Sequence, residues 1–196
     1  MAVTDLVSGP VTRYELSEVV EMHTNSEPTV NHITKEHAEF SSEELRAVMG
    51  NFVSGIVVVS AMSSQGPVGF TCQSFSSLSL EPALVSFSPA RTSSTWPQIR
   101  GLRSFCVNVL AAEQEALSNQ FAKSGTDKFA GVQWRPATTG APMLAGSLAW
   151  IVCELWAEYD GGDHTMVVGK VVEMEAAQGG SALTFHRGRY GVTAGN

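Results

Sequence analysis

Apolar residues recur along this chain mostly in short stretches of period two, broken by glycine- and proline-bearing turns, with little of helical period. Residues 56–62 (IVVVSAM) are β-branched and predict a strand. A Gln65-Gly66-Pro67 turn leads into a second, Val68-Gly69-Phe70-Thr71. Residues 83–88, 104–110, 147–159 and 166–174 predict further strands, and 182–185 a last short one. In the longest, Ala149, Ile151, Cys153, Leu155 and Ala157 alternate onto one face, with Glu154 and Glu158 spaced as a wet face. Asp160-Gly161-Gly162-Asp163 joins it to the next strand as a hairpin. Helical patterns are brief. Ser41 and Glu44 make a capping box ahead of Leu45, Val48, Met49 and Phe52, which predicts a helix with its apolar stripe on the core. Residues 94–100 carry Pro97 in the first turn and Gly101 just past the end. Residues 113–122 set Ala116, Leu117 and Phe121 on one side. Strands at irregular spacing, hairpin links and few helices predict a mainly β, antiparallel barrel. A doubly wound nucleotide-binding sheet is excluded, because no G-x-G-x-x-G follows a strand and long helices do not alternate with strands.

The 196 residues suit one core domain, and the charge divides them unevenly. Through Met49 there are nine acids and three bases, a balance of −6; the rest carries ten acids and nine bases, a balance of −1. We therefore read residues 1–38 as an acidic N-terminal arm, 39–192 as the domain and 193–196 as a tail. Within the arm, residues 15–27 suit a short amphipathic helix with Leu16, Val19 and Val20 on one side, and NSEPTVNH reads as linker. Such an arm caps the core, wraps a partner subunit or stays mobile. Net charge of −7 without a basic cluster argues against nucleic acid as partner. No apolar run approaches the roughly 20 residues of a membrane-spanning helix. The opening MAVTDLVSGP lacks the basic-then-apolar order of a signal peptide, so a cytoplasmic location is expected.

Candidate chemistry is sparse. Cys72, Cys106 and Cys153 are dispersed and read as small buried hydrophobes, neither a disulfide framework nor a zinc site. The five histidines offer no metal-ligand spacing, so no metal is expected. No G-x-S-x-G elbow and no paired core carboxylates are present, which leaves a bound cofactor to do any difficult chemistry. Two hydroxyl-rich runs stand out: residues 71–79 (TCQSFSSLS) and 88–96 (SPARTSSTW), each after a strand. Short side chains let a planar ligand approach the backbone, and Arg91 with Thr92, Ser93 and Ser94 ahead of a helix suits a phosphate. Two solvated surface loops fit the same pattern. His164, just after the hairpin turn, reads either as a ligand contact or as a solvated turn residue. Arg187, Arg189 and Tyr190 around Gly188 either cover a ligand or form a solvated tail.

With these residues in view, the sequence resembles the flavin reductase-like family, and in particular the reductase components of two-component flavin-dependent monooxygenases. The resemblance runs from about Phe40 to Gly191 in five blocks in the family's order: VGFTCQSFSSLSLEPALVSFSPARTSSTW, FCVNVL, KFAGVQW, GDHTMVVGKV and FHRGRYG. It implies a split antiparallel β-barrel (an FMN-binding split barrel) with a few short helices, working as a homodimer. It implies NADH-dependent reduction of FAD or FMN, with FAD placed ahead of FMN, and delivery of the reduced flavin to a separate oxygenase. Carried onto this chain, Val68, Gly69, Phe70, Thr71 and Cys72 line the flavin, and Gln73 and Ser74 hydrogen-bond its ring. Ser88, Pro89, Arg91, Thr92, Ser93 and Ser94 hold the ribityl and phosphate part. Gln120, Phe121, Lys128 and Phe129 close the site. His164 meets the nicotinamide nucleotide, bordered by Arg187 and Tyr190. Arg91 stands where relatives often carry lysine, and His186 where an aromatic residue is more usual. The rival functions are a flavoprotein that keeps its flavin and reduces another acceptor such as ferric iron, and a non-catalytic flavin- or haem-binding split barrel.

Overall fold

The computed structural model describes residues 40–193. The acidic arm, its expected helix at 15–27, the linker and the tail after 193 lie outside the described residues. Among the described residues there are twelve strands: β1 (Ser54–Gly55), β2 (Val57–Ser63), β3 (Gly66–Cys72), β4 (Ser76–Leu80), β5 (Ala83–Phe87), β6 (Ser104–Val109), β7 (Trp134–Pro136), β8 (Pro142–Leu144), β9 (Ala149–Gly161), β10 (His164–Ala176), β11 (Leu183–His186) and β12 (Arg189–Val192). Helices are α1 (Ser42–Met49), α2 (Trp96–Leu102) and α3 (Glu115–Ala122), the last preceded by a 3₁₀ turn. Seven strands form one antiparallel sheet in the order β3-β2-β6-β9-β10-β5-β4. A three-stranded sheet, β1-β11-β12, is stitched to it where Ile56 N–H donates to Leu183 O, Leu183 N–H to Leu110 O and Leu110 N–H to Ile56 O (3.0–3.2 Å). The mainly β antiparallel architecture expected from the hairpin links is the one observed.

The unbroken apolar run in β2 follows from burial on both faces. Val57, Val59 and Ala61 enter the larger core with Phe70, Phe87, Trp96, Ile99 and Phe105, while Val58, with Ile56, packs against Leu110, Phe121, Leu144 and Leu183. The alternation read in β9 holds, since Ile151, Cys153 and Leu155 all pack into the larger core. Burial pushes the thiols of Cys106 and Cys153 up to about 12, as inert core residues require. Asn108, fully buried on β6, accepts from Leu144 N–H (2.7 Å) and donates to Val58 O (3.0 Å) and Ser60 Oγ (2.9 Å). Asn108→Leu strands these groups without a partner, and we expect a loss of about 1–3 kcal/mol in urea unfolding. An unchanged midpoint would mean that the network carries no net stability.

Several expectations need correction. The capping box at Ser41 forms as read, but Leu45, Val48, Met49 and Phe52 are exposed and α1 buries nothing. Periodicity reports that a helix has an apolar face, not which surface covers it. Helix α2 does not stop before Gly101; it continues to Leu102, and Arg103 takes the left-handed cap at φ 59°, its carbonyl accepting from Leu155 N–H (2.8 Å). The turn into β3 falls on Ser64 and Gln65, because Gly66 and Pro67 already pair with Ser63 and Met62. Part of the first hydroxyl-rich run is not a loop: Ser76–Leu80 is edge strand β4. Glu158 is not on a wet face. Its side chain is only 17% exposed, accepts from Trp96 Nε1 (3.1 Å) and pairs with Arg100 Nε (2.6 Å).

Candidate active site

Three openings converge around the segment that follows β5. The central groove has a volume of about 680 Å³ and runs between the end of β3 and the exit from β5. Phe70, Thr71, Cys72, Gln73 and Ser74 form one bank, and Ser88, Pro89, His164 and Met166 the other. The Ser74 hydroxyl holds the banks together, accepting from Ser88 N–H (2.7 Å) and donating to Ser88 O (3.2 Å). Thr71 Oγ1 donates to Ser118 O on α3 (2.6 Å), which fixes the floor. His164 enters because the two-residue turn between β9 and β10, with Gly162 at φ 77°, lets β10 extend past β5. Ala90 bridges it there, with Arg91 N–H on Asp163 O (2.9 Å) and Thr165 N–H on Pro89 O (3.0 Å). The imidazole Nδ1 lies 2.7 Å from Asp163 Oδ1. That contact keeps the Asp163 carboxyl below its usual range and leaves Nε2 for a ligand.

A second, hydroxyl-lined cleft of about 350 Å³ lies between β3, the start of α2 and residues 124–129. It gathers Val68, Gly69, Ser94, Lys128 and Phe129. Partial burial holds the Lys128 ammonium below the usual lysine range, a cost that an anionic ligand beside it would offset. Gly69 is required here, since a Cβ would meet Phe121 Cε1 and Val59 O at 2.9 Å each. Phe121 is fully buried beneath it and packs edge-on to Phe129 at 4.9 Å. Gln120 Nε2 donates to the carbonyls of Lys128 (2.9 Å) and Ala130 (3.0 Å), so its amide holds the loop that carries Lys128.

The third opening, about 370 Å³, is an arginine cleft on the far side of the Ala90–His164 bridge. Arg91 and Ser93 line it, and Arg91 pairs with Asp160 (2.8 Å). Thr92 lines none of the three. Arg187 lines a further opening of about 390 Å³ that shares Gln73 with the central groove, and Tyr190 lies beyond it beside Arg187. Arg187 and Gly188 both take positive φ (48° and 75°) in the tight turn between β11 and β12, and Arg187 Nε donates to Asn51 Oδ1 (2.9 Å). The Tyr190 hydroxyl contacts Ser118 Oγ and Asn119 Oδ1, each at 3.0 Å. Sequence reasoning missed Gly161 and Met166 in the groove and Arg100, Glu158 and Tyr159 in the arginine cleft. Only the DG turn hinted that flanking residues would gather there.

The groove suits a planar, uncharged heteroaromatic ring. Among the described residues no Lys, Arg, Asp or Glu lines it, and the N–H groups of Gln73 and Ser74 have no acceptor. Such donors suit ring carbonyls and phosphate oxygens.

Residues 49–194 match the family model described as a flavin reductase like domain. The chain is 44% identical over 145 residues to the reductase subunit of a flavin-dependent monooxygenase from Rhodococcus jostii, covering 74% of each chain. It is 38% identical over 151 residues to an FMN reductase (NADH) from Agrobacterium fabrum, covering 77% of this chain and 86% of that one. The NADH:FAD oxidoreductase of Streptomyces globisporus, solved with NAD and FAD fragments, superposes with a TM-score of 0.74 at 35% identity, over 78% of this chain and 92% of that one.

Proposed function

We propose that this chain, which belongs to the flavin reductase-like family, transfers a hydride from NADH to FAD or FMN at the central groove and releases the reduced flavin to a separate oxygenase. The observation that carries this reading is the uncharged, donor-lined groove with His164 on its rim. Flavin supplies the hydride-accepting chemistry when bound, so no protein nucleophile is needed. The work left to this chain is placement. Gln73 and Ser74 N–H groups orient the ring, Phe70 and Met166 give it apolar contact, and His164 Nε2 orients the nicotinamide nucleotide. Ser94 and Lys128 hold the flavin phosphate from the hydroxyl-lined cleft, and Arg91 draws on the same anion from the other side. Positioning of this kind is worth several powers of ten in rate when two rings must meet face to face.

The protein works as a homodimer in the cytoplasm. The apolar face of α1, where Leu45, Val48, Met49 and Phe52 are covered by none of the described residues, supports a second copy as its cover. No helix among the described residues is long and apolar enough to cross a membrane. The test is NADH oxidation in air with FAD or FMN added to the purified protein. A rate that rises saturably with free flavin supports the reductase. A yellow protein whose turnover ignores added flavin means that the flavin is retained and reduces another acceptor, and absence of NADH consumption means a non-catalytic binder.

Arg91→Ala is expected to weaken binding of FMN by roughly tenfold, the loss of one charge-assisted contact, and to leave riboflavin nearly unaffected. Fluorescence titration of both flavins reads this. Parallel losses would remove Arg91 from phosphate binding.

A further inference from the structure

The opening beside Arg187 has a chemistry that the flavin reductase reading does not use. Arg46, Met49 and Phe52 come to it from α1 and the turn that follows, and Phe185 and Arg187 from the β11–β12 hairpin. A helix C-terminus ordinarily turns carbonyl oxygens outward, which repels anions, but here each is engaged. Arg46 O accepts from Gly50 N–H (2.9 Å), Met49 O from Phe52 N–H (3.0 Å) and Gly50 O from Arg187 N–H (2.9 Å). Ala47 O and Val48 O both accept from Asn51 Nδ2 (2.9 and 3.0 Å). The charged groups that remain are two guanidiniums. Arg187 donates through Nε and Nη2 to Asn51 Oδ1, a neutral acceptor, so the group is fixed with its charge uncompensated and Nη1 to spare. Arg46 has no carboxylate partner among the described residues, and no Asp or Glu among them lines the opening.

We propose that this opening binds a small apolar carboxylate, an aromatic or alicyclic monoacid whose ring lies against Phe52 and Phe185 and whose carboxylate meets Arg46 and Arg187. Guanidinium forks match the two coplanar oxygens of a carboxylate, and Met49, Phe52 and Phe185 supply the large apolar surfaces. Neither a lysine nor a helix N-terminus among the described residues reaches the opening, and these are the usual supplements for a phosphate dianion. A volume of about 390 Å³ is that of a small-ligand site. Gln73 lines both this opening and the central groove, so the bound acid sits beside the place of the flavin ring and outside it.

The experiment is calorimetric titration of the intact protein with benzoate and cyclohexanecarboxylate, against benzamide as the neutral isostere and inorganic phosphate as the bare anion. Both acids are expected to bind saturably, and roughly tenfold or more tighter than benzamide or phosphate. Arg46→Gln is expected to weaken benzoate by roughly tenfold, the loss of one charge-assisted contact, and Arg46→Lys to lose less. Arg46 is exposed, so the variant is expected to keep the native unfolding midpoint. Saturating FMN or NADH is expected to change benzoate affinity by about twofold or less. Displacement by either nucleotide overturns the proposal and assigns the opening to that nucleotide. Met49 and Phe52 also belong to the face assigned above to a second copy, so benzoate affinity that falls as self-association rises gives the opening to that copy and overturns the proposal as well. Equal binding of benzoate and benzamide, no saturable binding of either acid, or an Arg46→Gln chain that binds benzoate as the native one does, has the same consequence. The readout is binding of an added acid, so it stands whether or not added flavin drives NADH oxidation.

Discussion

Replacing His164 with alanine is expected to slow reduction of flavin by NADH by roughly tenfold or more, while affinity for oxidised flavin changes by about twofold or less. The reasoning starts from placement. His164 opens β10, is bridged to Ala90 and reaches the groove with Nδ1 engaged by Asp163. An imidazole held at one nitrogen presents the other in a defined direction, so its loss removes orientation of the second ligand and leaves the walls of the groove intact. Stopped-flow reduction of bound flavin under anaerobic NADH separates this from a binding defect. Equal rates for the two proteins would remove His164 from hydride transfer.

Phe105→Ala is expected to destabilise the fold by about 3–5 kcal/mol, the cost of emptying a buried aromatic site. Phe105 is fully buried on β6, edge-on to Phe87 at 5.4 Å and 6.3 Å from Trp96. It therefore joins β6 to β5 and to the first turn of α2. On its other side lies Gly169, where β9 and β10 slip register and a Cβ would approach Phe105 Cζ to 2.8 Å. Backbone occupies that flank, so the space left by the ring refills poorly. Urea unfolding reads the loss. A change below about 1 kcal/mol would mean that the core relaxes into the cavity.

The fold was legible wherever burial writes a simple pattern. β2, β6, β9 and β10 bury apolar residues in alternation or in continuous runs, and glycines mark the hairpin between the last two. Strand β4 was hidden because it lies at the sheet edge, pairs only with β5 and is mostly exposed, so its serines carry no apolar signal. β7 and β8 have three residues each and include prolines, which suppress the strand pattern. The left-handed cap at Arg103 was also unreadable, since its carbonyl is fixed by Leu155, distant in sequence.

For the site, sequence and structure meet most closely at the hydroxyl-rich turns. Gln73, Ser74, Ser88 and Pro89 line one groove with His164, which lies 75 or more residues further along the chain. The pairing that brings them together is made by the Ala90 bridge, a contact with no local signature. For the same reason the run 91–94 divides: Arg91 and Ser93 line the arginine cleft, while Ser94 joins Lys128 in the hydroxyl-lined one. A backbone that passes between two clefts serves both, and spacing alone does not reveal this. Glu158 was misread because alternation in β9 predicts direction, whereas Trp96 and Arg100 arrive over that face from α2.

The most direct measurement is a crystal structure of the protein soaked in excess flavin. Density for the ring between the Phe70–Ser74 bank and the Ser88–Pro89 bank, with His164 at its edge, is the result this account requires. Density confined to another surface, with that groove closed by the protein's own side chains, would contradict it.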